Sequence, residues 1–166
     1  MHLTDADKIS HDRLLSLVSY DPATGLFTNL VRRSMSHAGT VLRPRKRVGI
    51  CIDGLLYRTS HLVWFYVHGT WPVGMIDHIN NNPEDNRICN LREATKQQNG
   101  QNRAISKRNK SGFKGVTRVT EANRWQAHIK VNDKKIYLGS FLTPEEAYEA
   151  YISAAQQHFG EYARFV

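Results

Sequence analysis

Cysteine is scarce: the chain has two, Cys51 and Cys89, in 166 residues. Two thiols make neither a disulfide framework nor a zinc quartet. The expectation is a pair of buried, reduced cysteines in a cytoplasmic protein. Long apolar runs are missing as well, and none approaches the ~20 residues that cross a bilayer. The opening MHLTDADKIS lacks the basic-then-apolar layout of a secretory signal. There is no internal repeat and no low-complexity segment. Acid is in short supply, with 15 Asp and Glu against 23 Lys and Arg, for a net charge of +8. Two stretches have no acid at all. Residues 32–47 carry Arg32, Arg33, Arg43, Arg45, Lys46 and Arg47, and residues 103–118 carry Arg103, Lys107, Arg108, Lys110, Lys114 and Arg118. Such a surplus points to a polyanionic partner. Neither cluster lies on an amphipathic helix with a bulky apolar face, so nucleic acid is the better partner than a membrane. No RNP or KH signature is present, which favours DNA over RNA.

What remains is ordinary globular material, 40% hydrophobic. Residues 10–18 have helical apolar spacing behind a capping Ser10. YDPATGLFTN reads as strand, turn, strand. Residues 31–47 read as an irregular basic loop. VGICIDGLLYRTS is a hairpin turning at Asp53-Gly54. SHLVWFYVHG is a helix with Ser60 as cap and Gly69 as stop; Trp64, Phe65 and Tyr66 are expected in the core. MIDHIN is strand-like, NNNPEDNRIC a polar loop and NLREA a short strand. Thr95 opens a helix, with Gln98 in the reciprocal capping position. FKGVTRV, RWQAHIKV and KKIYLGSF are three strands, the last two joined at Asn132-Asp133. Thr143-Pro144-Glu145-Glu146 starts a helix that stops at Gly160. The expected class is α+β. The expected organisation is a first domain over 1–103, a basic linker over 104–110 and a second domain over 111–166.

The stretch IDHINNNPEDNRICNLREATKQQNGQN carries the chemistry. Hydrolysing a phosphodiester takes an activated water, neutralisation of the developing charge and help for the leaving oxygen. His78 can take a proton near neutral pH. Asp77 offers a charged oxygen and Asn99 a neutral amide oxygen, a set suited to a hard cation such as Mg²⁺. Asn90 can fix the imidazole tautomer. Neighbours on a regular strand point to opposite faces, so Asp77 and His78 converge only if the strand ends or bulges there. Taken singly each has a bland reading: an exposed strand end, a local turn cap, a solvated helix residue. The pattern DH…DNR..NLR…QN..N resembles the ββα-metal site of the HNH endonucleases, in the variant with asparagine in the last histidine position. The resemblance implies Asp77 and Asn99 as ligands of Mg²⁺ or Mn²⁺, His78 as general base and Asn90 as its orienter. Asn86, Arg87 and Arg92 are loop-fixing or phosphate-contacting residues rather than catalytic ones. His61 is a structural histidine.

On RWQAHIKV, Trp125, Ala127, Ile129 and Val131 alternate with Arg124, Gln126, His128 and Lys130, which gives a sheet with one apolar and one polar face. KGV, RW.A.I, LG.F.T.EEA..AY..AA and the terminal G..A.F resemble the AP2 DNA-binding domain over residues 111–165. That resemblance implies three antiparallel strands backed by one helix, with the sheet in the major groove. The DNA contacts it implies are Lys114, Thr117, Arg124, Lys130, Lys135 and Tyr137, joined by the basic Arg103, Lys107, Arg108, Lys110 and Arg118. Together the two resemblances imply a metal-dependent endonuclease acting on double-stranded DNA, of a phage or homing kind and acting in the host cytoplasm. A monomer would nick and a homodimer would cut both strands. The alternative is a non-catalytic DNA-binding regulator, which has no need of the Asp77-His78-Asn90-Asn99 set.

Overall fold

Short antiparallel hairpins alternate with four helices in the computed structural model, which describes residues 8–33, 36–44, 49–102, 105–106 and 108–165. The class is mixed α+β, as expected. Backbone proximity divides the chain into Met1–Ala94 and Thr95–Val166, a division nine residues ahead of the expected domain end at 103.

In the first unit, α1 (His11–Leu17) is capped by Ser10, whose side chain accepts from the Arg13 backbone N–H. It runs straight into β1 (Val18–Asp21), which pairs with β2 (Leu26–Asn29). A third strand, β3 (Val41–Leu42), completes that sheet. It lies inside the stretch expected to be irregular, a two-residue strand too short to leave a pattern of alternation. β4 (Gly49–Ile52) and β5 (Leu55–Arg58) form the hairpin expected at Asp53-Gly54. Both turn residues have positive φ, 46° and 82°, the geometry of a type I′ turn. α2 (Thr59–His68) ends on Gly69 at φ 72° as expected, but it starts two residues earlier than a Ser60 cap implies. Arg58 is the cap position and makes no side-chain cap bond, so Ser60 lies inside the helix. β6 (Met75–His78) and β7 (Leu91–Ala94) form the last hairpin, closed by the long polar loop 79–90.

The core of this unit joins α1, the hairpins and α2: Leu14, Val18, Phe27, Ile52, Leu62 and Val63 are fully buried. Each such side chain contributes roughly 1.5–3 kcal/mol by leaving water. Leu91, at the foot of β7, belongs to the same cluster and ties the last hairpin to it. Phe65 is in the core, Tyr66 packs on its edge, and Trp64 is only half-buried, against His68. Both cysteines are free and exposed, contrary to expectation. Cys51 takes the one outward position of β4, between buried Ile50 and Ile52.

In the second unit, α3 (Lys96–Gln101) begins with the expected capping box of Thr95 and Gln98. β8 (Val116–Val119), β9 (Arg124–Val131) and β10 (Lys134–Phe141) form an antiparallel sheet with β9 in the middle. Asn132 and Asp133, at φ 49° and 61°, make the tight turn between the longer strands. α4 (Pro144–Phe159) opens with a second capping box, from Thr143 and Glu146. Its Ala147, Tyr151 and Ala155 are buried with Val116, Ala127 and Ile129 of the sheet. Small residues at that spacing let the helix lie close to the strands.

Candidate active site and nucleic-acid interface

β6 runs through both Asp77 and His78 and ends at His78. In the antiparallel register Asp77 faces Arg92 and His78 faces Leu91. The register is regular up to His78, where the strand ends, and no bulge interrupts it. Asp77 is 4% exposed. Its Oδ2 accepts from Arg92 Nε at 3.0 Å and pairs with Nη2 at 3.0 Å. A buried carboxylate needs such a partner, and Arg92, expected on loop or phosphate, supplies it.

The loop after His78 is held by asparagine and aspartate side chains. Asn90 is buried; its Oδ1 accepts from the Asn80 backbone N–H at 3.0 Å, and its Nδ2 donates to Asn80 Oδ1 at 3.0 Å and to the Asp85 carbonyl at 2.8 Å. Those bonds close the loop. They run to Asn80 and Asp85, whereas the sequence reading expected Asn90 beside the imidazole. The amide beside the imidazole is Asn86: its Oδ1 lies 3.3 Å from His78 Nε2, and it is itself 4% exposed. Asp85 receives Arg87 in a two-pronged pair at 2.8 and 2.7 Å. The Arg87 hydrogen bond holds the Asp85 carboxyl down to about 2, and Arg87 is thereby a loop-fixing residue. Asn86, expected from the DNR triplet as a loop-fixing or phosphate-contacting residue, thus stands beside the imidazole, a contact that the triplet does not signal.

Asn99 sits in α3, where its backbone N–H donates to the Thr95 carbonyl at 3.0 Å. Among the described residues no group of three His, Cys, Asp or Glu is placed to hold a metal. The donor chemistry of Asp77 and Asn99, one carboxylate and one amide oxygen, fits a hard cation that keeps most of its water. It does not fit zinc, which takes three or four protein ligands rich in nitrogen and sulfur. His61 is more than half-buried, and burial followed by the charges of Arg58 and Lys8 lowers its pKa.

The sheet of the second unit sorts the expected DNA contacts by face. Thr117 pairs with Gln126, Tyr137 with His128 and Lys135 with Lys130, and cross-strand partners share a face. With Arg124 they make one polar face. Lys135, Tyr137 and Thr117 are exposed. Arg124 bends onto Ser140, donating from Nε at 3.1 Å and Nη2 at 2.9 Å. Lys130 pairs with Asp133 at 2.7 Å in full solvent. Arg118 belongs to the other face: it pairs with Trp125, and its guanidinium sits 5.8 Å from the Trp125 ring centre. Lys114 is also withdrawn. Its Nζ donates to the Gln101 carbonyl at 2.5 Å, and burial, then the Arg164 charge, pulls its pKa down to about 8. Arg108 and Lys110 are exposed; Arg103 and Lys107 lie outside the described residues. In the first unit a cleft of about 980 Å³ is lined by Arg13, Arg32, Arg33 and Arg43. Arg33 is committed to the Cys51 carbonyl and Asn29, and Arg13 to Asp53.

An HNH endonuclease family model matches residues 57–101, the span from β5 through α3. Protein 3.8 of Escherichia phage T7 is 33% identical over 104 residues, 62% of this chain and 85% of that protein. The chain belongs to the HNH endonuclease family. An uncharacterized HNH endonuclease of Acanthamoeba polyphaga mimivirus is 36% identical over 88 residues, and this HNH chain spans only 44% of its length. The C-terminal region is similar to an AP2-like ethylene-responsive transcription factor of Arabidopsis thaliana, 50% identical over 50 residues, 29% of this chain and 10% of that factor. HNH nucleases generally use divalent metals. No helix among the described residues of this HNH chain is long and apolar enough to cross a membrane.

Proposed function

We propose that the chain is a divalent-metal-dependent DNA endonuclease that hydrolyses phosphodiester bonds in duplex DNA and is targeted by its C-terminal sheet. The observation that carries this reading is His78, at the end of β6, with its imidazole against Asn86 inside a loop closed by Asn80, Asp85 and Asn90. His78 takes the proton from the attacking water. Asp77 and Asn99 would be the oxygen donors for Mg²⁺ or Mn²⁺, and such a cation would supply neutralisation of the developing phosphorane charge and help for the leaving oxygen. The strand–loop–strand–helix order over residues 75–101 supports the ββα-metal reading. The three strands backed by α4 support the AP2-like one.

DNA affinity comes from phosphate contacts. Arg32 and Arg43 in the cleft of the first unit, and Lys135, Tyr137, Thr117 and Arg124 on the polar face of the second, present those contacts. Lysine and threonine read bases less sharply than arginine, so sequence selectivity from this face is modest. The protein acts in the cytoplasm where its DNA is, and one site per chain makes the monomer a nicking enzyme.

The test is conversion of supercoiled plasmid to open circles with Mg²⁺ or Mn²⁺, with and without EDTA. His78→Ala is expected to lose ~10²–10⁴-fold in rate while binding DNA as before. Full nicking by that variant, or nicking that survives EDTA, refutes the reading. The rival reading, a non-catalytic DNA-binding regulator, draws on Arg92 already occupying the Asp77 carboxylate. It expects no open circles from the intact protein under any metal.

A further inference from the structure

The β1–β2 hairpin lies outside the family-matched residues 57–101, yet it meets two successive peptides of the loop after His78, those joining Asn86, Arg87 and Ile88. Tyr20 Oη donates to the Asn86 carbonyl at 2.9 Å and accepts from the Ile88 backbone N–H at 2.9 Å. Burial pushes the Tyr20 phenol up to about 12, so it keeps its proton and its donor role at any working pH. Gly25, at φ +74°, closes the hairpin turn against the same place. A Cβ built there meets Arg87 N at 2.6 Å and the Asn86 carbonyl carbon at 2.7 Å. Both are backbone atoms, which cannot step aside as a flexible side chain can.

Asn86 passes this constraint to the imidazole. Its Nδ2 donates to the Glu84 carbonyl at 3.3 Å. A carbonyl oxygen only accepts, so the amide nitrogen has to face Glu84 and Oδ1 has to face His78. An amide oxygen also only accepts. The 3.3 Å contact between Asn86 Oδ1 and His78 Nε2 is therefore a bond donated by Nε2–H. With the proton on Nε2, the basic lone pair of the neutral ring is on Nδ1.

We infer that Asn86 and Tyr20 are positioning residues for the general base: Tyr20 and the Gly25 turn clamp the 86–88 backbone, and Asn86 sets the His78 tautomer with Nδ1 as the basic nitrogen. The inference rests on His78 being the base, as proposed above. It adds a part of the machinery supplied by the N-terminal hairpin.

The experiment is ¹⁵N NMR of the His78 ring in the full-length, metal-free protein, at a pH where the ring is neutral, together with nicking kinetics. The ring of the unaltered protein is expected to carry its proton on Nε2. Asn86→Ala is expected to relax that preference to a mixture and to lower kcat by about 10–100-fold, the usual cost of losing an outer partner of a reacting group. KM is expected to stay put, because DNA is held elsewhere. Tyr20→Phe keeps the ring that packs against Phe27 and Tyr66 and removes only the hydroxyl. It is expected to shift the tautomer ratio in the same direction and lower kcat by a smaller factor, again without moving KM. A proton on Nδ1 in the unaltered protein overturns the inference without any variant having to fold. So does an unchanged tautomer and full kcat in Asn86→Ala. If His78→Ala nicks normally, the general-base reading itself fails. If His78→Ala is inactive while Asn86→Ala and Tyr20→Phe behave as the unaltered protein, only the clamp fails.

Discussion

Arg92→Ala is expected to destabilise the first unit far more than any exposed ion-pair variant. The Asp77 carboxylate is 4% exposed and the Arg92 side chain 15%, with two guanidinium nitrogens on Oδ2 at 3.0 Å. Removing the arginine leaves a buried charge with its main cationic partner gone, a change that costs about 3–5 kcal/mol. The Arg13–Asp53 pair has the same 3.0 Å separation, but its side chains are 54% and 45% exposed. Water screens it, and Arg13→Ala should cost at most ~1 kcal/mol. Native-state hydrogen exchange reads the two side by side. Amides of Leu62 and Val63 sit in the fully buried core and report opening of the first unit. At ~1.4 kcal/mol per tenfold, a 4 kcal/mol loss accelerates their exchange by roughly three decades in Arg92→Ala, and less than one decade in Arg13→Ala.

The same variant tests the ligand role of Asp77. With the guanidinium gone, a divalent cation that binds the carboxylate of the folded state restores stability by about 2.7 kcal/mol at a hundred times its dissociation constant. Mg²⁺ should therefore slow exchange in Arg92→Ala more than in the unaltered protein, where Arg92 competes for the oxygen. Acceleration below tenfold in EDTA refutes the burial argument. Equal Mg²⁺ response in both proteins refutes Asp77 as a ligand.

Two further outcomes follow from the geometry. The Asp85 carboxyl is held at about 2 in the folded protein, chiefly by the Arg87 hydrogen bond, against 3.8 when free. Its contribution to stability is present above the free value and is lost as pH falls from there through about 2, so amide exchange in the 79–90 loop should rise across that window and Asp85→Asn should flatten the rise. On the second unit, Lys135→Gln should make the slope of log K against log salt shallower by ~0.9 on duplex DNA, whereas Arg118→Gln and Lys114→Gln, which lie on Trp125 and on the Gln101 carbonyl, should leave it unchanged; equal loss in all three would refute the assignment of faces.

Local signals carried much of the fold into the sequence. Both capping boxes, the Asp53-Gly54 and Asn132-Asp133 turns and the Gly69 stop are each written in two to four adjacent residues, and all appear as read. Misses occurred where the deciding partner is distant or the pattern too short. β3 is two residues long. α2 starts ahead of Ser60 because the strand of Arg58 runs directly into it, with no side-chain cap to mark the boundary. Cys51 is exposed because of its phase on β4, which composition does not reveal.

The candidate site divides along the same line. Asp77, His78 and Asn90 were visible because their types and spacing form one contiguous pattern. What each side chain does in the folded state depends on which partner is nearest, and those partners are set by pairing rather than by spacing. Strand register sets Arg92, read from the sequence as loop-fixing or phosphate-contacting, against Asp77 as its counter-ion. The loop closed on Asn80 and took the Asn90 amide with it, which left the imidazole to Asn86. Tyr20 reaches that amide's backbone across 66 residues of sequence. A motif defined over residues 57–101 contains His78 and Asn86, but the backbone at Asn86 and Ile88 is bonded by Tyr20, on a hairpin that the motif does not contain.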